Sequence, residues 1–284
     1  MLNQVNQYSL ELKDVSCAFA THGIEDSYIA VKDISLQIKE GEFVSIVGPT
    51  GCGKSTLLNV AAGLLEPSKG QILSFDKPLK GINSRAGYMF QSDALMPWCN
   101  ARDNVAMGLK FRKFSAKELN EMTEEWLRRV GMNGFGDRYP HQLSGGMRKR
   151  IALAQTLALD PDIILMDEPF SALDIQTRQL MENEVLALCS GNATKPGKSI
   201  LFITHDLDEA IAMSDRVLIL SAGPGSKIIG EFNIDLPKPR DVAEIRNQPR
   251  FYELYQAIWT LLRNEVLKSY ELQKQANKYN GPGV

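Results

Sequence analysis

The sequence predicts an α/β fold, a mostly parallel sheet with helices on its faces. Three observations carry that prediction. The apolar runs FVSIV, DIILMD, ILFITH and RVLIL are short and rich in β-branched residues, as buried strands are. Segments with helical spacing separate them, and strand–helix alternation marks parallel crossovers. The glycine-rich stretch GPTGCGKST, Gly48 to Thr56, stands where the first of these runs gives way to a helical pattern.

The elements follow in order. SLELKDVSCAF and IAVKDISLQI alternate apolar and polar residues and read as N-terminal strands. Phe43, Val44, Ile46 and Val47 form a short buried strand, and KSTLLNVAAGLL is a helix with Gly63 near its end. PSKGQILSF and AGYMF return to strand. From Gln91 to about Ala158 helix formers and charges dominate, so about 92–158 reads as a helical insert between two strands. Within it SAKELNEMTEEWLRRVG carries Ser115 and Glu118 as a capping box and Gly131 as a stop. The core strands ending in Asp167, His205 and the SAG turn come next. The main domain spans 1–240, and a helical tail spans 241–284. The stripe Phe251, Leu254, Tyr255, Ile258, Leu261, Leu262 and Val266, with Trp259 beside it, predicts a tail helix packed on the domain's own surface. A partner-binding helix is the alternative. The last residues, NKYNGPGV, read as frayed.

Composition narrows the class. The 284 residues are 44 % hydrophobic and 23 % charged, enough for a full core. A net charge of -2 and a pI near 6.0 argue against a nucleic-acid-binding protein. No apolar run reaches the roughly 20 residues needed to cross a bilayer, and the N-terminus has no secretory pattern. Cys17, Cys52, Cys99 and Cys189 are scattered, which fits reduced thiols rather than a disulfide framework or zinc site.

The chemistry-bearing motifs are nucleotide motifs. Gly48, Gly53, Lys54 and Ser55 match G-x-x-x-x-G-K-[ST]. Glycines let the backbone through Gly48, Pro49, Thr50, Gly51, Cys52 and Gly53 fold so closely that consecutive N–H groups point inward at phosphate oxygens. Lys54 brings a point charge to the β- and γ-phosphates, Ser55 a hydroxyl for Mg²⁺, and Thr56 reaches the α-phosphate. Asp167 ends a buried strand and suits Mg²⁺ through water; Glu168 follows and is placed to polarise an attacking water. A solvated strand end is the plainer reading of that pair. His205 ends the next strand and is either structural or a hydrogen-bond donor to the γ-phosphate. Gln91 is either a polar loop residue or a ligand of Mg²⁺ and water. The stretch LSGGMRKR places Ser144, Gly145 and Gly146 at a helix start, a second cradle for a phosphate.

Together GPTGCGKST, Phe90–Gln91, LSGGM, LMDEPFSALD and THD resemble the ATP-binding subunit of an ABC transporter, in the family's order over residues of about 10 to 230. FQSDALMPW, LSGGMRKR, THDLDEA and SDRVLILSAGPG are similar to the nitrate/sulfonate/taurine group of bacterial importers. The resemblance implies a P-loop core joined by an N-terminal antiparallel β subdomain and a helical subdomain. It implies that Gln91 lies in the loop beside the membrane subunit, that Asp174 communicates between two ATP sites, and that Phe19 stacks on adenine. A strand core residue is the alternative for Phe19. It also implies a head-to-tail homodimer in which Ser144, Gly145 and Gly146 serve the partner's ATP, which answers why one chain carries two cradles. The signature's fifth residue is Met147 where the wider family often has glutamine. The implied partners are a second ATPase copy, permease subunits and, indirectly, a solute-binding protein, at the cytoplasmic face of the inner membrane, with no nucleic acid.

Two other classes fit the sequence less well. A soluble ABC-type ATPase acting on DNA or ribosomes would carry coiled-coil arms or two cassettes in one chain, and neither pattern appears. A P-loop kinase would leave LSGGM, SALD and THD without purpose.

Overall fold

The computed structural model describes residues 8–20, 27–112, 114–189 and 197–279. Two sheets organise them. Strands β1 (Tyr8–Phe19), β2 (Tyr28–Lys39), β4 (Lys69–Ser74) and β5 (Lys77–Pro78) form an antiparallel sheet in the order β2-β1-β4-β5. Strands β3 (Phe43–Val47), β6 (Ala86–Met89), β7 (Ile163–Asp167), β8 (Ser199–Ile203), β9 (Arg216–Leu220) and β10 (Ile228–Asn233) form the second, in the order β10-β9-β3-β8-β7-β6. Four of its five pairings run parallel, and the edge pair β9–β10 is antiparallel. The fold is the one expected, an α/β core together with the antiparallel β subdomain.

The inner strands β3, β7, β8 and β9 of the larger sheet are buried on both faces, which is why they read as unbroken apolar runs. Successive side chains nonetheless enter different cores. Phe43, Ile164, Met166, Ile200, Phe202 and Val217 face one core, shared with the helices. Val44, Ile46, Ile163, Leu165, Leu201 and Leu218 face the other, closed by the antiparallel sheet and helix α1 (Lys54–Ala61).

Between β6 and β7 lie α2 (Ala101–Ala106), α3 (Ala116–Arg129) and α4 (Gly145–Ala158). The capping box is present at α3: the Ser115 hydroxyl accepts from Glu118 N–H and the Glu118 carboxylate accepts from Ser115 N–H. Gly131 follows with φ +65°, the left-handed stop that glycine favours. Helix α4 then leads directly into β7.

Helices α5 (Ile175–Cys189) and α6 (Leu207–Met213) flank β8, and the short α7 (Val242–Ile245) precedes α8 (Pro249–Tyr279). The stripe Phe251, Leu254, Ile258 and Leu262 is buried in the core shared with the helices, so the tail packs on the domain itself. Two details differ from expectation. Val266 is 40 % exposed, because α8 leaves the body after Glu265. Helix α8 runs on through Tyr279, so 277–279 are helical; 280–284 lie outside the described residues. Among the described residues no helix is long and apolar enough to cross a membrane.

Candidate functional site

The carboxyl ends of β3, β6, β7 and β8 lie side by side, the edge of a parallel sheet where ligands bind. Each end carries one predicted site residue or loop. β3 runs into Gly48–Thr56, where Gly51 and Gly53 take φ of +78° and +90°. Gly53 starts α1 with no side-chain cap, and the first turn holds no acid. Its N–H groups therefore stay free for an anion. Lys54 is buried, and its ammonium donates to the carbonyls of Gly48 (2.9 Å) and Pro49 (3.0 Å). Carbonyls hold a cation less firmly than a carboxylate does, so this group is ready for a phosphate.

Asp167 ends β7 and is buried below the loop. Burial pushes its carboxyl pKa up; the Ser55 hydroxyl, hydrogen-bonded to it, opposes that rise, and the Glu168 charge adds to it. A hydroxyl beside a buried carboxylate suits a divalent cation that keeps most of its ligands from water and phosphate, the habit of Mg²⁺. No cluster of three or more His, Cys, Asp or Glu suited to a metal occurs among the described residues, so substrate and water would supply the remaining ligands.

Glu168 is where three strand ends meet. It sits at φ +46° and its N–H donates to the Ile203 carbonyl (2.9 Å) at the end of the neighbouring strand. Its Oε2 accepts from the Gln91 amide (3.3 Å) and lies 3.3 Å from His205 Nδ1. A left-handed backbone at a non-glycine residue is a strained position of the kind that clusters at functional sites. Lys149, from the first turns of α4, is buried and donates to the carbonyls of Phe90 (3.2 Å) and Gln91. Burial lowers its pKa, against the pull of Asp93, Asp167 and Glu168.

A cleft of about 630 Å³ opens over these groups, lined by Thr50, Gly51 and Gly53 to Thr56, by Gln91, Glu168 and His205, and by Phe19, Tyr28 and Ala30. Phe19 and Tyr28 are register partners across β1 and β2, 40 % and 45 % exposed, and make an aromatic rim. Phe19 is thus at the cleft, not in the core. Tyr28 escaped the sequence reading; its only signal was an exposed-type aromatic at a strand start. Cys52 turns its side chain into the core below.

Four predicted residues lie elsewhere. Ser144 caps α4, its hydroxyl accepting from Met147 N–H (3.3 Å), and is exposed. Gly145 and Gly146 follow it in the first turn, with Gly146 against the Ala172 carbonyl. Asp174 accepts from Thr177 N–H (3.0 Å) at the start of α5, and those hydrogen bonds lower its pKa. None of the four lines the cleft. One chain therefore presents a cleft and, apart from it, a second exposed helix start. Met147 packs against the helix-side core, which gives the signature's methionine a structural place.

The chain was compared with known proteins. A family model described as ABC transporter matches residues 31–171. An uncharacterized ABC transporter ATP-binding protein of Methanocaldococcus jannaschii is 45 % identical over 240 residues, 84 % of this chain and 86 % of that one. A nitrate import ATP-binding protein of Synechococcus elongatus is 38 % identical over 253 residues, 88 % of this chain but 37 % of the relative. Among solved structures, a dimeric bacterial ABC transporter cassette superposes with a TM-score of 0.72 at 32 % identity, covering 79 % of this chain and 98 % of that one. The same cassette fold in a dimeric post-hydrolysis state bound to ADP and Pi gives 0.71. With its phosphate loop, strand-end carboxylates and second helix start in this arrangement, the chain belongs to the ATP-binding proteins of ABC transporters, ATPases coupled to transport.

Proposed function

We propose that the chain is the ATP-hydrolysing subunit of an importer, working as a head-to-tail homodimer beneath a separate permease. The observation that carries this reading is the division of the site. Groups for phosphate, cation and water converge on one cleft, while Ser144, Gly145, Gly146 and Asp174 stand outside it. A second copy, turned end to end, supplies those four to the first copy's ATP.

On this reading Phe19 stacks on adenine, Gly48 to Thr56 hold the phosphates, and Lys54 leaves its carbonyls for the γ-phosphate. Ser55, Asp167 and Gln91 would hold Mg²⁺, which neutralises charge developing between the β- and γ-phosphates. Glu168 orients and polarises the attacking water, and His205 donates to the γ-phosphate. Catalysis is mainly positioning and electrostatic stabilisation. ATP binds the closed dimer better than the open one, so it shifts that equilibrium, and hydrolysis releases it. The helical insert, entered at Gln91, carries the motion to the permease on the cytoplasmic face of the inner membrane. A solute-binding protein delivers the cargo on the other side. The importer names of relatives, nitrate for one and bicarbonate for another, support a small solute of the nitrate/sulfonate/taurine type.

The test is affinity capture of the Glu168→Gln chain with Mg-ATP from detergent-solubilised source membranes, read by mass spectrometry. The variant keeps the shape of Glu168 and loses its base, so it is expected to hold ATP, turn it over very slowly and retain a multi-span permease. Recovery of ribosomes, DNA or soluble proteins alone overturns the importer reading.

A further inference from the structure

The hairpin that joins β9 to β10 is closed by Ser221 and Lys227, whose N–H and carbonyl groups pair (Ser221 N–H to Lys227 O, 2.9 Å). Its tip lies against the phosphate loop: a Cβ at Gly223 would be 3.4 Å from the Gly51 carbonyl oxygen and 3.8 Å from Cys52 Cα. The same tip is stitched to β2. Gly225 N–H donates to the Ile29 carbonyl (2.6 Å), Ser226 N–H to Ala30 (3.2 Å), and Lys32 N–H to Ser226 (2.9 Å). Ala30 lines the cleft and its carbonyl lies 3.3 Å from where a Gly53 Cβ would be. The hairpin therefore backs the phosphate loop and one wall of the cleft together.

One side chain from the tail holds this hairpin. Glu265, on α8, is 6 % exposed, and its Oε2 accepts from Ala222 N–H at 2.8 Å. Its Oε1 meets the Lys268 ammonium. Burial raises its pKa, but hydrogen bonds from Lys268 and Ala222 outweigh that and the net direction is down, so the carboxylate is held ionised. Helix α8 is fixed at the same place from below: a Cβ at Gly230 would lie 2.6 Å from Leu261 Cδ2, so helix and β10 touch at closest approach. These contacts link the C-terminal helix, through one charged acceptor, to the back of the phosphate loop.

We infer that Glu265 is a positioning residue for nucleotide binding, and that the tail helix sets the ATP affinity of the cleft through it. The physical reason is preorganisation. The N–H groups of the phosphate loop bind well only if their aim is fixed beforehand, and a supporting layer fixes it. Without the Glu265 acceptor, Ala222 N–H loses its partner, and the Ala222–Gly223 side of the tip, beside Gly51, keeps its place only through the bonds of Gly225 and Ser226 to β2. The inference rests on the cleft being the ATP site.

The test is calorimetric titration of the full chain with ATP and Mg²⁺. Glu265→Ala is expected to weaken binding about tenfold, the net size of one hydrogen bond to a charged group. Glu265→Gln keeps an acceptor oxygen for Ala222 N–H and is expected to bind within about twofold of the unsubstituted chain. Leu262→Ala removes core packing from the same helix without touching the hairpin; it is expected to lower the melting temperature and leave affinity unchanged. Unaltered affinity in Glu265→Ala, beside normal binding by the unsubstituted chain, overturns the inference. So does an equal loss in Glu265→Gln or Leu262→Ala. Failure of the unsubstituted chain to bind ATP overturns the assignment of the cleft, and the inference with it.

Discussion

Glu182 on α5 makes stability depend on pH in a way that one substitution exposes. It is fully buried, and neither carboxylate oxygen has a hydrogen-bond partner. Burial is the first cause that pushes its pKa up, to about 7, and the Glu209 charge on α6 is the second; Arg246 just after α7 and Arg178 on α5 oppose the rise, and Asp206 adds to it. The Arg246 guanidinium is 4.0 Å away, too far for a good hydrogen bond. Unfolded, the group titrates near 4.5. The folded state thus binds the proton more tightly. The stabilisation this provides is complete below about pH 4.5 and is lost as pH rises through about 7. At about 1.4 kcal/mol per pH unit, that interval is worth about 3 kcal/mol. Glu182→Gln keeps the shape and cannot ionise, so it lacks this loss. Urea unfolding of both chains from pH 4.5 to pH 8 is expected to show the variant gaining about 3 kcal/mol relative to the parent across the range. A difference between the two chains that stays constant with pH would refute the reasoning, since Glu182 would then not titrate in the folded protein.

Two further outcomes follow from single residues. Lys54→Ala removes a buried ammonium that the Gly48 and Pro49 carbonyls and the Cys52 sulfur hold in the free chain. ATP affinity by calorimetry is expected to fall at least about tenfold, and retained affinity would count against the phosphate cradle. Gly63→Ala places a Cβ 1.9 Å from the Gly81 carbonyl oxygen at a φ of +69°. Both faults act on the folded state, so urea unfolding is expected to show a loss of about 3 kcal/mol or more; a loss below about 1 kcal/mol would mean that the turn yields freely.

Much of this architecture is legible in the sequence because single segments decide it. The capping box of Ser115 and Glu118 and the stop at Gly131 are local, and they fix α3 whatever surrounds it. FVSIV, IILMD and ILFI are too short and too apolar to be anything but buried strands. β10 escaped because KIIGEFN is a half-exposed edge, polar and interrupted by Gly230, and its pairing with β9 is what makes it a strand. Lys149 escaped for a different reason. In MRKR it looks like one more solvated charge, and only the fold turns it inward onto the Phe90 and Gln91 carbonyls. Glu182 has the same history, since no local pattern tells a buried glutamate from an exposed one. At the cleft, motif spacing pointed to Lys54 and Glu168, whereas His205 and Gln91 gained weight only from the ordered set of motifs; the meeting of those two around the Glu168 carboxylate depends on the order of strands β6, β7 and β8, which are far apart in the chain.

The crossover between β6 and β7 has a consequence for how such a chain diversifies. The two strands are hydrogen-bonded neighbours. A parallel crossover needs only about a dozen residues. The chain instead spends everything from Phe90 to Asp162 there: α4 packs against the sheet, and α2 and α3 pack against α4. The part that carries α2 and α3 can be lengthened, trimmed or exchanged while α4, β6 and β7 keep their packing. On the proposed reading, the hydrolytic groups at the strand ends and the surface that meets a permease are then separate inheritances. The first is held constant by the sheet. The second is free to follow whichever membrane partner a lineage acquires, with the Lys149 clasp as the fixed joint between them.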